Sequence, residues 1–339
     1  MEPRNDHTLQ PPIPSHHTPT GRFRNPWPGS TPHGLRDVLK WVWDRRTRRR
    51  ADPTLAPAFP RVAPTFPSPH AAAGEIVLTW IGHSTFLLQI GSTNILLDPI
   101  WSNRASPVTF AGPKRLVAPA VPFDSLPPID LVILSHDHYD HLDRATVRML
   151  ATSHPRAEWL APLGLGSWLR ARDATVKAEL DWWQSVKTHD LEITCTPAQH
   201  FSGRRPNNRD STLWCGWVVR AGDRAIFFAG DTGRHPEFSA IATRLGPFDA
   251  ALLPIGAYDP RWFMQPVHMA PEEAVSAYAD IAAANAGRPC RFIATHWGTF
   301  KLTDEPMDEP PALTHVEWEK ARLDPEMLWV MAHGETRRV

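Results

Sequence analysis

Cysteine is scarce. The 339 residues contain three, Cys195, Cys215 and Cys290, and their wide, irregular separation matches neither a disulfide framework nor a CxxC metal site. A reducing compartment suits such a chain, so the expected location is cytoplasmic. Charge of one sign is also missing: 36 Lys and Arg balance 36 Asp and Glu for a formal charge of +0, which leaves no overall basic field to gather nucleic acid. Nucleic acid is therefore not the expected partner. No apolar run approaches the roughly 18 residues of a membrane span, and the opening "MEPRNDHTLQPPIPSHHTPT" lacks the apolar stretch of a secretory signal. The chain reads as soluble or peripheral.

What is abundant is proline, histidine and tryptophan: 36, 17 and 15 residues, in a chain that is 42% hydrophobic and so has material for a sizeable core. Residues 1 to about 70 hold 14 of the prolines, which favours irregular backbone. We read residues 1–74 as a Pro-rich extension that is disordered in part. Inside it Leu35, Val38, Leu39 and Val42 fall on one helical face ahead of an arginine cluster. They predict a short amphipathic helix, either docked on the main domain or lying against anionic lipid headgroups. From about residue 75 to 339 the texture changes to β-type runs with helical stretches between them. Predicted strands include "EIVLTWI", "TFLLQI", "TNILLDPI", "IDLVILS", "EWLAP", "LEITCTP", "LWCGWVV", "RAIFFAG", "DAALLPIGA" and "RFIATHW"; predicted helices are "LDRATVRMLA", "LGSWLRAR" and "PEEAVSAYADIAAANA". Strands first, then strands alternating with helices, indicate an α/β layered fold.

The stretch "VILSHDHYDHLD", Val132 to Asp143, sets three histidines and three aspartates behind an apolar run. So many imidazoles and carboxylates must be hydrated, paired or bound to something. On extended backbone His136 and His138 project to one side and can share a metal, whereas Asp140 and His141 begin the next turn and point elsewhere. Two adjacent metal positions follow. The remaining ligand candidates sit just past other apolar strands: His200, Asp231 and His296. Carboxyl ends of several strands commonly meet in one crevice. Nitrogen and carboxylate donors without thiolates suit zinc first, then iron or manganese.

HxHxDH followed by His, Asp and His resembles the metallo-β-lactamase superfamily of binuclear hydrolases. The resemblance implies a four-layer αββα sandwich over residues 75–339. It further implies that His136, His138 and His200 hold one zinc and Asp140, His141 and His296 a second, with Asp231 bridging. Beyond the ligands, "TWIGHSTFLL", "LLDPIWSNRASP", "GPKRL", "FFAGDTG", "GAYDPRWFM" and "HWGTF" resemble the N-acylphosphatidylethanolamine-hydrolysing phospholipase D family. That likeness implies cleavage of a phospholipid to phosphatidic acid and an N-acylethanolamine by a hydroxide shared between two cations, oriented by Asp140 and Asp231. Another phosphodiester, a lactone or an acyl ester is the alternative substrate. The expected partner is a phospholipid or other small molecule, with peripheral membrane contact and a homodimer both open.

Among residues outside the ligand set, His268 lies three positions before the predicted helix at Pro271, where it can meet a substrate oxygen or act in catalysis. Tyr258 and Arg261 are candidate substrate contacts in the same region. His83 and Asp98 are expected to brace the ligands from behind. Trp168, Trp182, Trp183 and Trp262 form either an acyl-binding wall or, more in keeping with large aromatics, part of the core.

Overall fold

The computed structural model describes residues 14–47, 59–205 and 207–339. Two seven-stranded mixed sheets pack face to face with helices on both outer sides, an αββα sandwich. The first sheet is built from β1 (Ile76–Gly82), β2 (Thr85–Ile90), β3 (Thr93–Leu97), β4 (Leu131–Ile133), β5 (Glu158–Pro162) and β6 (Thr175–Leu180), with β14 (Thr336–Arg338) pairing outside β1. The second runs from β7 (Ser185–Thr188) through β8 (Leu191–Thr196), β9 (Gly216–Ala221), β10 (Arg224–Phe228), β11 (Ala250–Pro254) and β12 (Arg291–Thr295) to β13 (Leu328–Trp329). Each sheet is antiparallel in its first part and parallel afterwards, the change falling at β3 in one and β10 in the other. Parallel neighbours need crossovers. These carry α2 (Arg144–Ser153), α3 (Gly166–Arg170), α4 (Phe238–Leu245), α5 (Arg261–Met264), α6 (Pro271–Ala284) and α7 (Glu309–Lys320).

The apolar runs are continuous because both faces of the first sheet are covered. Leu78, Trp80, Phe86, Leu88, Ile95, Leu97, Leu131 and Ile133 face the core between the sheets. Their alternate neighbours Leu87, Leu96 and Val132 point outward against Val147 and Leu150 of α2 and Leu169 of α3. Asp143 starts α2 by accepting the amides of Ala145 and Thr146. α6 begins at Pro271, with Glu273 reaching back to the amide of Ala270 at 3.0 Å.

Several elements escaped the sequence reading. β6 and β7 are polar edge strands whose exposed alternate residues hide the pattern. α7, not among the predicted helices, carries Pro310 and Pro311 in its first turn, where the missing N–H groups cost no intrahelical bond.

The helix expected at 35–43 is present as α1 (Leu35–Thr47), but its docked face differs from the predicted one. Leu39 and Val42 are 60% and 39% exposed. Trp41 instead stacks on Phe263 at 5.2 Å and donates to Asp304, which Arg45 also meets at 2.9 Å. An indole with its N–H satisfied and a salt-bridged arginine outweigh two aliphatic side chains here. Most of the arginine cluster, like residues 1–13 and 48–58 of the extension, lies outside the described residues. Residues 14–33 lie against the domain: Phe23 is buried and Trp27 stacks on Trp182 and His235.

Candidate metal centre

Ends of strands from both sheets supply the site. His83 follows β1, Asp98 follows β3, and His136, His138, Asp140 and His141 follow β4; on the facing sheet His200 follows β8, Asp231 follows β10 and His296 follows β12. Three of these residues hold left-handed backbone, His83 at φ 55°, Asp98 at φ 38° and His296 at φ 61°. Non-glycine residues in that region cost about 1–3 kcal/mol each and cluster at functional sites. Gly230 at φ 62° lets the chain turn into Asp231, and a Cβ there would stand 2.7 Å from that of Ser135.

Five imidazoles converge on one oxygen, Oδ2 of Asp231. His296 Nε2 lies at 2.9 Å, His141 Nε2 at 3.2 Å, His136 Nε2 and His200 Nε2 at 3.9 Å, and His268 Nδ1 at 4.0 Å. On one side of that oxygen, His138 Nδ1 is 2.9 Å from His136 Nε2 and 3.0 Å from His200 Nε2. On the other, Asp140 Oδ2 lies 3.3 Å from His296 Nε2 and 3.5 Å from His141 Nε2. The seven ligand candidates therefore share one pocket, with Asp231 between two groups of three. His138 and Asp140 are half-buried and form its open side; the other five are buried.

The donor set fits divalent cations. His200 Nδ1 donates to the carbonyl of Val267 at 2.8 Å, which leaves its Nε2 as a lone pair aimed at His138. Three ring nitrogens crowd together where a single N–H can serve only one contact. Burial pushes the pKa of His136 well down, that of His138 to about 3 and that of His200 to about 4, so these rings are neutral. The carboxylates demand positive partners. Burial opposes their charge, yet His141 above all holds Asp140 and Asp231 well below the usual range. In return, against its own burial, Asp231 raises His141 far above the ordinary value, and Asp231 with Asp140 raises His296 to about 9. Asp231 Oδ1 and His141 Nε2 have no hydrogen-bond partner among the described residues.

Behind these groups Asp98 accepts from His141 Nδ1 at 2.7 Å, fixing the ring with Nε2 inward. His83 Nε2 reaches Asp140 Oδ2 at 3.0 Å, and with Asp140, His141 and His296 it forms a set close enough to ligate an ion itself. The sequence reading missed Asn25. Its amide donates to the carbonyl of His200 at 2.8 Å while its Oδ1 accepts from the His200 amide at 3.2 Å and from Trp214 Nε1 at 3.1 Å.

His268 enters the pocket, and its Nδ1 has no hydrogen-bond partner among the described residues. Tyr258 and Arg261 do not join it. The Tyr258 hydroxyl is taken by Glu309, and Arg261 holds Glu273 at 2.7 Å and the carbonyl of His268 at 3.0 Å. The four tryptophans form no single wall. Trp182 is buried and bonded to the Trp214 carbonyl, Trp183 lies under Arg244, Trp168 under Arg172, and Trp262 under Lys40. Among the described residues no helix is long and apolar enough to cross a membrane.

A model of the Beta-lactamase superfamily domain matches residues 93–297. An uncharacterised protein of Mycobacterium tuberculosis is 42% identical over 302 residues, 88% of this chain and 77% of that one. The N-acyl-phosphatidylethanolamine-hydrolyzing phospholipase D 1 of Caenorhabditis elegans is 40% identical over 243 residues, 69% of this chain and 66% of its own length. A UPF0173 metal-dependent hydrolase of Caldivirga maquilingensis is 28% identical over 239 residues, 70% of this chain and 88% of that protein. Among solved structures, a metallo hydrolase of the archaeon Ignicoccus hospitalis shares the fold with a TM-score of 0.59 at 23% identity, covering 78% of this chain and 98% of the other. The chain thus belongs to the metallo-β-lactamase superfamily and is one of its metal-dependent hydrolases.

Proposed function

We propose that the protein is a zinc-dependent phosphodiester hydrolase that cleaves N-acylphosphatidylethanolamine-type phospholipids to phosphatidic acid and N-acylethanolamine. The observation that carries this reading is the convergence of His136, His141, His200, His268 and His296 on Asp231 Oδ2, with His138 and Asp140 at the open side. The relative named for that lipid reaction, 40% identical over 243 residues, supports the choice of substrate.

In this reading His136, His138 and His200 would hold one ion and Asp140, His141 and His296 a second, with Asp231 placed to serve either. Bound there, two divalent ions supply Lewis acidity toward a phosphoryl oxygen and bring the pKa of water near neutrality. The chain's own residues do the rest. Asp140 and Asp231, both ionised, orient the attacking water. His268, neutral because burial pushes its pKa well down, has no partner for Nδ1 among the described residues and is placed beside Asp231 to hydrogen-bond water or a substrate oxygen. Arg261 positions His268 through its carbonyl. Exposed Leu39 and Val42 on α1 support contact with the lipid surface that carries the substrate.

A second reading, hydrolysis of another phosphodiester, a lactone or an acyl ester, draws support from the likeness to a metal-dependent hydrolase whose name specifies no substrate. Zinc-loaded protein incubated with N-acylphosphatidylethanolamine in heavy-oxygen water separates the two. The expected result is labelled phosphatidate and unlabelled N-acylethanolamine. No turnover of the lipid, with ready turnover of a lactone or an acyl ester, would replace the first reading by the second.

A further inference from the structure

Next to the metal centre, where the HxHxDH turn passes into α2, a cleft of about 1250 Å³ opens. Six arginines line it: Arg104, Arg144, Arg148, Arg172, Arg204 and Arg205. Its one carboxylate among the described residues is Asp143, and that group is spent on α2, accepting from Thr146 Oγ1 at 2.6 Å and from the amides of Thr146 and Ala145. None of the six arginines forms an ion pair among the described residues, although Arg170 and Arg209 close by do.

Three of the guanidinium groups are held in place by backbone carbonyls and rings. Arg204 donates to the carbonyls of Asp137 and Leu142 and lies 3.9 Å from the ring of Tyr139. Arg172 donates to the Trp168 carbonyl at 2.6 Å and stacks 3.6 Å over that indole. Arg104 donates to the carbonyls of Thr109 and Gly112. Such forks are fixed before any ligand arrives, and a fixed guanidinium suits phosphate geometry.

Fold stability does not account for the others. Arg144 is the first residue of α2, where the helix dipole disfavours a cation. Arg148 stands one turn further on the same face, a like-charged spacing that destabilises a helix. Burial, then the like charges of Arg144, Arg148, Arg204 and Arg205, lower the pKa of Arg172, and the carboxylates that act on the cluster, Asp137 and Asp143, offset only part of the burial of Arg204. One phosphate occupies two such forks; a cleft of this volume with six calls for several anionic groups.

We propose that this cleft binds a polyphosphorylated group, two or more phosphates being gripped by Arg144 and Arg148 from α2 and by Arg172 and Arg204 from the loops after α3 and β8. The site stands on its own residues and holds whether or not the metal centre cleaves phosphodiesters.

The test titrates the metal-loaded full chain with fructose bisphosphate, with orthophosphate, and with phosphatidylcholine vesicles with and without a few mole per cent of a phosphatidylinositol bisphosphate. The bisphosphorylated probe should bind at least about tenfold more tightly than its control, and Arg144→Gln/Arg148→Gln should weaken it by about tenfold or more. Both substituted residues are exposed, so folding and metal content should not change. Saturable binding of the free sugar assigns the phosphates to a soluble ligand, and binding of the vesicles alone assigns them to a lipid headgroup; loss in the double variant supports the proposal in either arm. Absence of binding in both arms, equal affinity for orthophosphate, or full affinity in the double variant overturns it.

Discussion

Replacing Asp98 by asparagine exchanges one oxygen for an NH2 group in the buried support of His141, and the geometry allows the amide no good orientation. The carboxylate accepts three hydrogen bonds, from the Ser135 amide at 2.7 Å, from Ser135 Oγ at 2.5 Å and from His141 Nδ1 at 2.7 Å. If the new amide turns its oxygen toward His141, its NH2 faces the Ser135 N–H, and a buried donor without a partner costs about 1–3 kcal/mol. If it turns its oxygen toward the Ser135 amide, His141 must accept at Nδ1 and carry its proton on Nε2. That is the nitrogen 3.2 Å from Asp231 Oδ2, so the lone pair needed for a metal is lost. Removing such a support lowers metal affinity or activity by about 10–100-fold, which is about 1.4–2.7 kcal/mol. Chelator competition followed by metal analysis measures the affinity, and urea unfolding of the metal-free protein measures the stability. An Asp98→Asn protein that held zinc as tightly as the parent and unfolded at the same urea concentration would refute the reasoning.

Asp231→Asn should lose metal and turnover together, whereas His268→Ala should keep its metal and lose turnover; equal metal loss in both, by elemental analysis, would remove His268 from its assigned role. Asn25→Ala leaves the His200 carbonyl and amide without a side-chain partner, and thermal unfolding should show a loss of about 1–3 kcal/mol. Acid should weaken the attachment of the extension through Asp181. Its carboxylate is half-buried, a circumstance that opposes ionisation, but the hydrogen bond from His16 at 2.6 Å and the charge of His16 bring its pKa below the ordinary value. A depressed folded value means stability that is complete above the unfolded pKa, about 3.9, and is lost as pH falls through the folded one. The stability gap between the parent and Asp181→Asn should therefore close as the pH falls below about 4, as followed by tryptophan fluorescence in urea.

Legibility in the sequence tracked how locally each feature is determined. β2 and β5 match the predicted runs "TFLLQI" and "EWLAP" end to end, because apolar stretches flanked by turn residues mark buried strands. Asp231 and the six ligand candidates that meet around it were all readable as polar groups just past such strands. Their pairing into two groups of three came only with the resemblance, since spacing says which side chains can meet within one loop and not which strand ends face each other across two sheets. Tyr258 and Arg261 show the limit. Both sit in the expected loop, but Glu309 and Glu273, distant in sequence, claim them.

The extension was the hardest part to read, and the reason is chemical. Proline-rich segments have few backbone donors, so they contribute little regular structure and look detachable from composition alone. Those that remain do specific work: the amide of Phe23 reaches the Asp210 carbonyl at 2.9 Å, and that of Arg24 the carbonyl of His16 at 2.8 Å, which sets Asn25 against His200. His16 and His17 each take one oxygen of Asp181, at 2.6 and 2.8 Å. The segment is thereby tied at one end to the turn between β6 and β7 and at the other to the backbone of a ligand candidate. A hydrogen-bonded tether of this kind carries no hydrophobic periodicity, so only contacts across about 175 residues of chain reveal that the arm supports the site.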